Sequence, residues 1–269
     1  MLRAALLGRD IGGSLSPALH TAAGRALQGA VEYTLIDAEQ ADIESAVREL
    51  GLLGLHGWNI TAPYKEFMAR RADRLTPTAE RLGAVNTVVI ESDGTWLGDN
   101  TDVIGFEALL SDWVGDRAVV IGAGGAARAV VHVLARRGVT IEIYNRTTAR
   151  AAALRDRLAP EATVFDLDEL PKKLANVDLA INTTGDAIAP FLQTLQFDLM
   201  APDALFLDLS YGESAHRLLE MVTTFERAGR NGLDMLIAQG LASFALWTGR
   251  EPDRNFVRDK LIEIIDLQR

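Results

Sequence analysis

The chain has 269 residues, a formal net charge of −10 at pH 7 and no cysteine. The absence of cysteine excludes disulfide bonds, thiolate metal ligands and a cysteine nucleophile, and the acidic balance disfavours a nucleic-acid partner. No segment approaches 18 consecutive apolar residues, and the starting stretch MLRAALLGRDIGG is too short in apolar residues for a signal peptide. A cytoplasmic enzyme or binding protein without membrane contact is therefore expected.

The first hundred residues alternate between apolar runs of strand length and segments with helical periodicity. Leu2–Gly8 is the first predicted strand, and two further strands separated by helices follow it. Asn86–Ile90 and Trp96–Gly98 are predicted to form a hairpin around the turn at residues 92–94. The other predicted elements of this part are the helix Pro17–Leu27, the strand Glu32–Asp37, the helix Asp42–Leu50, the strand Gly54–Ile60 and the helix Pro63–Arg71.

A glycine-rich turn joins a strand to a helix in the middle of the chain. Aliphatic residues continue from this turn to Arg137, and a second strand pattern follows at Thr140–Tyr144. Glycines at such a turn let a pyrophosphate approach the backbone, and the N–H groups at the helix start can hold it. In this context the pattern indicates a dinucleotide site rather than a plain connection. The turn follows the apolar run Val119–Ile121 and consists of Gly122, Ala123, Gly124, Gly125 and Ala126.

The end of the second strand indicates which dinucleotide is bound. A carboxylate there would bind the ribose 2′-hydroxyl of NAD, but the sequence has Asn145, Arg146 and Thr147, followed by Arg150. A guanidinium and a hydroxyl suit the 2′-phosphate of NADP instead. The alternative is that Arg146 is a solvated surface charge and Thr147 a helix cap. Capping and phosphate binding are compatible at a helix start, and NADP is favoured.

The rest of the chain predicts a discontinuous two-domain protein. Further strand candidates extend the dinucleotide unit, whereas only helical patterns follow Gly232. Two helices without a strand partner must pack on structure already built, so we expect them to return to the first domain. The expected α/β fold has a substrate domain at 1–101, a Rossmann-type domain at 102–233 and returning helices at 234–269. The elements concerned are Thr163–Phe165, Leu179–Asn182, Leu205–Leu209, Met235–Trp247 and Asn255–Leu267.

Polar side chains cluster where predicted strands of the first domain end, and ligands of open α/β sheets bind at such ends. Each cluster has a structural alternative. Ser16 and Thr61 lie just before prolines, as helix caps do, Asn86 and Asn100 suit turns, and Asp102 could cap the next helix. Together, hydroxyls and amides in four clusters favour a polyhydroxylated substrate. The clusters are Ser14–Pro17, Asn59–Lys65, Asn86–Thr87 and Gly98–Asp102.

Lys65 is the candidate for proton transfer. It lies in the first turn of a predicted helix, where the positive end of the helix macrodipole disfavours the ammonium form. A lysine shifted towards neutrality can exchange a proton with a hydroxyl or carbonyl oxygen, and Asp102 could orient it. The alternative is an ordinary exposed lysine. The histidines show no spacing typical of a metal site, so no metal is expected. They are His20, His56, His132 and His216.

Taken together, these motifs resemble the shikimate dehydrogenase family over essentially the whole chain. Their order and spacing agree with the family jointly, which is more specific than any single glycine motif. The matching segments are Ser14–Pro17, Asn59–Lys65, Gly83–Thr87, Gly98–Asp102, Gly122–Ala126, Asn145–Thr147 and Gly232–Gln239.

The resemblance implies NADPH-dependent reduction of 3-dehydroshikimate to shikimate, in chorismate and aromatic amino-acid biosynthesis. It implies that Lys65 is the acid/base, with Asp102 as its partner and a substrate contact. Ser14 and Ser16 would bind the substrate carboxylate. The other implied substrate contacts are Asn59, Thr61, Asn86, Tyr211 and Gln239, and Leu209 and Gly232 would line the nicotinamide.

Three departures from the family pattern leave room for other functions. The chain has Thr21 where the family often has Asn, an atypical segment at 185–188, and His216 where Thr is common. These positions are expected near the nicotinamide side. The alternatives are a paralogue acting on quinate or another cyclic polyol, and a catalytically silent NADP-binding regulator on the same scaffold. The oligomeric state is left open between monomer and homodimer.

Overall fold

The computed structural model describes residues 1–267, except for the side chains of Lys172, Asp186 and Ser214. The chain divides into two compact units, residues 1–105 with 236–269, and residues 106–235. The elements up to residue 109 are β1 (Leu2–Gly8), α1 (Ser16–Ala26), β2 (Val31–Asp37), α2 (Ile43–Leu52), β3 (Gly57–Ile60), α3 (Lys65–Arg71), β4 (Arg74–Leu75), α4 (Pro77–Leu82), β5 (Thr87–Ile90), β6 (Trp96–Asp99) and α5 (Asp102–Leu109).

The second half of the chain continues the alternation of strands and helices. Short 3-10 segments lie at Leu167–Lys172, Gly185–Ile188 and Phe197–Leu199. The other elements are β7 (Arg117–Ile121), α6 (Gly125–Arg136), β8 (Thr140–Tyr144), α7 (Thr148–Leu158), β9 (Thr163–Phe165), β10 (Leu179–Asn182), α8 (Ala189–Leu192), β11 (Leu205–Asp208), α9 (Glu213–Thr224), β12 (Ala228–Asn231), α10 (Leu233–Thr248) and α11 (Arg254–Leu267).

The first unit is built on a mixed sheet with the strand order β2-β1-β3-β5-β6-β4. β1 pairs in parallel with β2 on one side and with β3 on the other, so the strand order reverses at β1. The loops that follow β1 and β3 therefore leave the sheet side by side, which is where open α/β sheets bind ligands. β5 and β6 form the predicted hairpin.

The core of the first unit contains Trp58, Ile60, Tyr64 and Met68, all buried. The carboxyl-terminal helices complete this unit, because α11 packs on α1. Trp247 of α10 donates a hydrogen bond from Nε1 to the carbonyl of Val88 at 2.9 Å. The expectation that the last two helices return to the first domain is confirmed.

The second unit is built on a parallel sheet with the strand order β12-β11-β10-β7-β8-β9. Numbered from its own first strand, this is the 3-2-1-4-5-6 order of the doubly wound dinucleotide-binding fold. The order reverses between β7 and β10, so the turn after β7 and the loop after β10 flank the crevice. The predicted Rossmann-type architecture is confirmed.

The main differences from the predicted elements are short segments without an apolar pattern. β4 has two residues, and β12 reads Ala-Gly-Arg-Asn, yet it completes the sheet through its ladder with β11. β3 begins at Gly57 rather than at Gly54, because Gly54 adopts φ +62° in the preceding turn. α3 begins at Lys65 rather than at Pro63.

Candidate functional site

Lys65 and Asp102 form a partly buried ion pair in the first unit. Lys65 opens α3 just after β3, and Asp102 opens α5 just after β6. Lys65 Nζ lies 2.6 Å from Asp102 Oδ2, and the two side chains are 13% and 6% exposed. An ammonium and a carboxylate at this distance and with so little solvent exposure interact far more strongly than a surface pair. The surface-lysine alternative for Lys65 is therefore wrong.

Asn86 holds the other oxygen of the Asp102 carboxylate. Its Nδ2 donates to Asp102 Oδ1 at 2.8 Å, and its Oδ1 accepts from the backbone N–H of Thr101 at 2.8 Å. Because a backbone N–H can only donate and a carboxylate can only accept, the orientation of the amide is fixed. Asn100 accepts from the backbone N–H of Asp102 at 3.1 Å, so Asn100, and not Asp102, occupies the capping role.

Asn59 contacts the backbone of Asn86 and uses its amide on partners within the unit. Its Oδ1 accepts from Tyr33 Oη at 2.8 Å and lies 3.2 Å from His20 Nε2. Its Nδ2 donates to the hydroxyls of Thr87 and Ser243, each at 3.0 Å. Asn59 is 5% exposed, so it stabilises the floor of the site.

His20 supports that floor as a neutral ring. Its ring stacks on Tyr33 with centroids 4.4 Å apart, and Nδ1 has no hydrogen-bond partner. Burial lowers the pKa of His20 to about 3, and the hydrogen bond with Asn59 offsets this only in part. Since the Asn59 oxygen can only accept, the proton of the neutral ring is on Nε2.

Ser14 and Ser16 lie together at the start of α1. Ser14 Oγ donates to Ser16 Oγ at 3.1 Å and accepts from the backbone N–H of Ser16 at 3.2 Å. The loop before them is held by Asp37, which accepts from the backbone N–H groups of Asp10 and Ile11 at 2.9 and 3.2 Å. Leu15 occupies the cap position without a side-chain bond, so the capping interpretation of Ser16 is wrong.

The remaining predicted substrate residues occupy different places. Gln239 on α10 contacts Asn86, the residue that holds Asp102, and its Oε1 lies 3.3 Å from Asn86 Nδ2. Thr61 follows β3 and is partly exposed, and it lies four residues before Lys65. Tyr211 belongs to the second unit, in the loop after β11. Hydroxyls, amides and one proton-transfer group thus converge in the first unit, an arrangement that suits a polyhydroxylated compound carrying a ketone or secondary alcohol.

The glycine turn of the second unit has the geometry that a pyrophosphate needs. Gly122 adopts φ +110°, and a Cβ at this position would lie 2.5 Å from Thr183 Oγ1 in the loop after β10. α6 begins at Gly125 with no side-chain cap at Gly124. Its first N–H groups have no partners inside the helix and remain available to an anion, and Ala123 and Ala126 add little bulk. These residues fit a dinucleotide.

The polar residues after β8 are open to solvent at the start of α7. Arg146, Thr147 and Arg150 are all exposed, and Asn145 Nδ2 ties the turn by donating to the carbonyl of Thr147 at 2.8 Å. Thr147 stands at the cap position of α7, but its side chain makes no capping bond. The hydroxyl of Thr147 is therefore not engaged by its own helix.

Leu209 and Gly232 lie next to each other, because each directly follows one of the paired strands β11 and β12. The backbone N–H of Gly232 donates to the carbonyl of Ser210 at 2.9 Å, and a Cβ at Gly232 would overlap the carbonyl of Leu209. Only glycine permits this approach.

Of the departures from the family pattern, His216 lies on α9 and pairs with Glu220 at 3.2 Å. In the segment 185–188 the side chain of Asp186 lies outside the description.

Two residues of the site, Tyr33 and Ser243, were not predicted from sequence. Tyr33 bonds to Asn59, and Ser243 bonds to Asn59 and to Thr87 of the predicted cluster Asn86–Thr87. Ser243 carried one usable signal, because it lies four residues after Gln239 and thus on the same face of a helix. Among residues 1–267, no group of three His, Asp or Glu side chains is placed to hold a metal ion. No helix in that range has the length and apolar character needed to cross a membrane.

Family models match most of the chain. The substrate-binding domain of shikimate dehydrogenase matches residues 6–88. The model described as shikimate / quinate 5-dehydrogenase matches residues 106–212, and the carboxyl-terminal domain of shikimate 5′-dehydrogenase matches residues 232–262.

Individual proteins agree with these matches. A shikimate dehydrogenase (NADP(+)) of Hyphomonas neptunium is 38% identical over 92% of each chain. The crystal structure of shikimate 5-dehydrogenase from Thermus thermophilus with NADP(H) and shikimate has 32% identity and a TM-score of 0.83, covering 98% of this chain and 99% of that one. Quinate dehydrogenase from Corynebacterium glutamicum with NAD has 31% identity and a TM-score of 0.85, covering 97% and 99%. The chain therefore belongs to the shikimate dehydrogenase family.

Proposed function

We propose that this protein is an NADP-dependent shikimate dehydrogenase that reversibly reduces 3-dehydroshikimate to shikimate. The observation that carries the proposal is the Lys65–Asp102 pair, 2.6 Å apart and nearly dry, among hydroxyls and amides. A regulator that only senses NADP has no need of a proton-transfer pair. In the cell the activity belongs to chorismate and aromatic amino-acid biosynthesis.

NADPH, when bound, supplies the hydride that reduces the ketone carbon. As that carbon becomes tetrahedral, negative charge develops on its oxygen, and the Lys65 ammonium donates a proton there. In the oxidation direction neutral Lys65 accepts the hydroxyl proton. Asp102 orients the lysine through Oδ2, while Asn86 holds Oδ1. Both carboxylate oxygens are thus fixed before substrate arrives, so little reorganisation accompanies proton transfer.

The substrate's carboxylate is assigned to Ser14 and Ser16, whose hydroxyls lie 3.1 Å apart at the start of α1. The helix start adds a favourable positive dipole end for an anion in a chain of net charge −10. The remaining ring hydroxyls are assigned to the polar side chains around the ion pair and to one residue of the second unit. These are Thr61, Asn86, Asp102, Gln239 and Tyr211. Asn59 supports this site instead of binding substrate, because its amide is fully bonded within the unit.

The cofactor assignment rests on the second unit. The backbone of Gly122–Ala126 is assigned to the pyrophosphate, because the turn leaves no space for a side chain at Gly122. Arg146, Thr147 and Arg150, with Asn145, are assigned to the 2′-phosphate, since two guanidiniums and a hydroxyl stand exposed at one helix start. Leu209 and Gly232 are assigned to the nicotinamide.

Turnover measured by NADPH absorbance tests the proposal. Shikimate, quinate and unrelated polyols are each offered with NADP and with NAD. Preferred oxidation of shikimate with NADP is expected. Preferred oxidation of quinate would move the protein to the second candidate, which the similarity to a quinate dehydrogenase supports. Binding of NADPH without turnover of any of these compounds would favour the silent regulator.

A cytoplasmic location and the choice between monomer and homodimer stay predictions, to be checked by cell fractionation and by light scattering.

A further inference from the structure

The hydroxyl of Ser243 joins three segments of the first unit beneath the proposed catalytic pair. Ser243 lies on α10 and is fully buried. Its Oγ lies 2.8 Å from Thr87 Oγ1, 3.1 Å from Thr101 Oγ1 and 3.0 Å from Asn59 Nδ2. It also lies 3.0 Å from the carbonyl of Gln239, one turn earlier in the same helix. A residue on the returning helix thus contacts the strands and the loop that hold the site.

The hydrogen-bonding capacity of this hydroxyl fixes its role. A serine hydroxyl has one proton to donate and two lone pairs to accept with. The Gln239 carbonyl can only accept, so Ser243 donates to it, and the Asn59 amide N–H₂ can only donate, so Ser243 accepts from it. One lone pair is left for the hydroxyl of Thr87 or Thr101. Ser243 is therefore a hydrogen-bond acceptor for one of the two threonine hydroxyls.

The same two threonines contact the amide oxygen of Asn86. Thr87 Oγ1 lies 3.0 Å and Thr101 Oγ1 3.2 Å from Asn86 Oδ1, which already accepts from the backbone N–H of Thr101. Without the Ser243 oxygen, the two threonine protons have one open lone pair on Asn86 Oδ1, and the other acceptors are more distant: Gln239 Oε1 lies 3.5 Å from Thr101 Oγ1, and the two threonine hydroxyls lie 3.4 Å apart. Competition for the Asn86 oxygen displaces the amide of Asn86, whose Nδ2 is the donor that holds Asp102 Oδ1.

We propose that Ser243 is a positioning residue for the reaction, which orients Asn86 and, through Asn86, the carboxylate of Asp102 against Lys65. This inference rests on the proposed function, because it assigns the ion pair to proton transfer. Ser243 touches neither Lys65 nor the substrate in this scheme. Its loss therefore lowers the rate of proton transfer, and KM changes less than kcat, because the displaced residues are only some of the assigned substrate contacts.

Two substitutions separate hydrogen bonding from packing. Ser243→Ala removes the oxygen, and Ser243→Cys keeps nearly the same volume but forms only weak hydrogen bonds. Both are expected to lower kcat about 10-fold, because a small displacement of a catalytic group is costly, with KM within about twofold of the native value. Thr248→Val is the matched control, since Thr248 on the same helix donates to the carbonyl of Phe244, four residues earlier, at 2.8 Å. It is expected to keep native kcat.

A double-mutant cycle with Asn86→Ala tests the route of the effect. If Ser243 acts through Asn86, Ser243→Ala lowers kcat less than about twofold when Asn86 is already absent. An equal loss in both backgrounds would overturn the proposal. So would native kcat in both Ser243 variants, or a loss in Ser243→Ala that Ser243→Cys restores, which would assign the residue to packing. The wild-type enzyme is assayed alongside, so that failure to oxidise shikimate is identified as failure of the proposed function itself.

Discussion

The two proposed sites of this protein differ in how they are built. Around Lys65 and Asp102 the polar side chains are nearly dry and bonded to one another, and the contacts join segments far apart in the chain. The cofactor residues at Gly122–Ala126 and 145–150 are short local stretches, and their arginines stand in solvent. A group that transfers protons must be oriented before the reaction, whereas a phosphate can be bound by backbone N–H groups and flexible guanidiniums. Substitutions in the first site should therefore change rates, and those in the second should change cofactor affinity.

Removal of the proton-transfer group gives the largest expected effect. Lys65→Met keeps the length of the side chain and should still bind both ligands, but kcat should fall about 10²- to 10⁴-fold because no acid reaches the ketone oxygen. Lys260→Met is the matched control, since Lys260 on α11 pairs with Glu263 at 2.8 Å and its side chain is 39% exposed, and it should keep native turnover. Steady-state kinetics with shikimate and NADP measure both. Near-native turnover in Lys65→Met would refute the assignment.

A substitution at the cofactor site should act on affinity and discriminate between the two dinucleotides. Arg146→Ala should weaken NADP(H) binding about 10- to 100-fold, because a charge-assisted bond to phosphate is lost, and should leave NAD(H) nearly unchanged. Arg155 lies on α7, which follows Arg146, and pairs with Asp156, so Arg155→Ala serves as the control. Calorimetric titration of each variant with both cofactors gives the comparison. An equal loss for NADP(H) and NAD(H) would assign Arg146 to folding or to the adenine.

The same contrast explains what the sequence could predict. The glycine turn, the cofactor arginines and strands such as Leu2–Gly8 follow from local patterns, and the structure agrees with their expected positions. The Lys65–Asp102 contact was anticipated because both residues lie in polar clusters at the ends of predicted strands and carry opposite charges. The bond between Thr87 and Ser243 spans 156 residues, and it depends on how α10 packs on the first sheet. No local pattern carries that information, so the supporting network was missed.

The buried imidazole beneath the first site makes folding stability depend on pH. Burial lowers the pKa of His20 to about 3, whereas in the unfolded chain it lies near the ordinary 6.5. Below pH 6.5 the unfolded state binds the additional proton, so stability is complete above that pH and is lost as the pH falls towards 3. At pH 5 the loss amounts to about 2 kcal/mol in the free energy of unfolding.

His20→Gln should remove this dependence, since the amide does not titrate. Urea unfolding at pH 7 and pH 5 should show a decrease for the variant that is about 2 kcal/mol smaller than for the native protein. The variant is expected to be less stable at pH 7, because the stacking on Tyr33 is lost. The change between the two pH values is the decisive quantity. Parallel decreases for the two proteins would show that His20 is not the group responsible.

The smallest expected effect tests whether Ser14 and Ser16 bind substrate or only shape the start of α1. Ser14→Ala removes one hydroxyl donor and the acceptor for the backbone N–H of Ser16. If the pair binds the substrate carboxylate, Ser14→Ala and Ser16→Ala should each raise KM about 3- to 10-fold, the effect of one lost hydrogen bond. kcat should stay near the native value, because the contact is equally strong in the ground state and the transition state.

Ser92→Ala is the control for these two variants, since Ser92 is exposed in the turn between β5 and β6, and it should leave both KM and the melting temperature unchanged. The local bond from the Ser16 N–H to Ser14 Oγ makes a structural role the competing explanation. Thermal unfolding measured beside the kinetics separates the two roles. A raised KM at a native melting temperature assigns the hydroxyls to the substrate. A lowered melting temperature with unchanged KM would return them to the helix start and leave the carboxylate to other donors in the first unit.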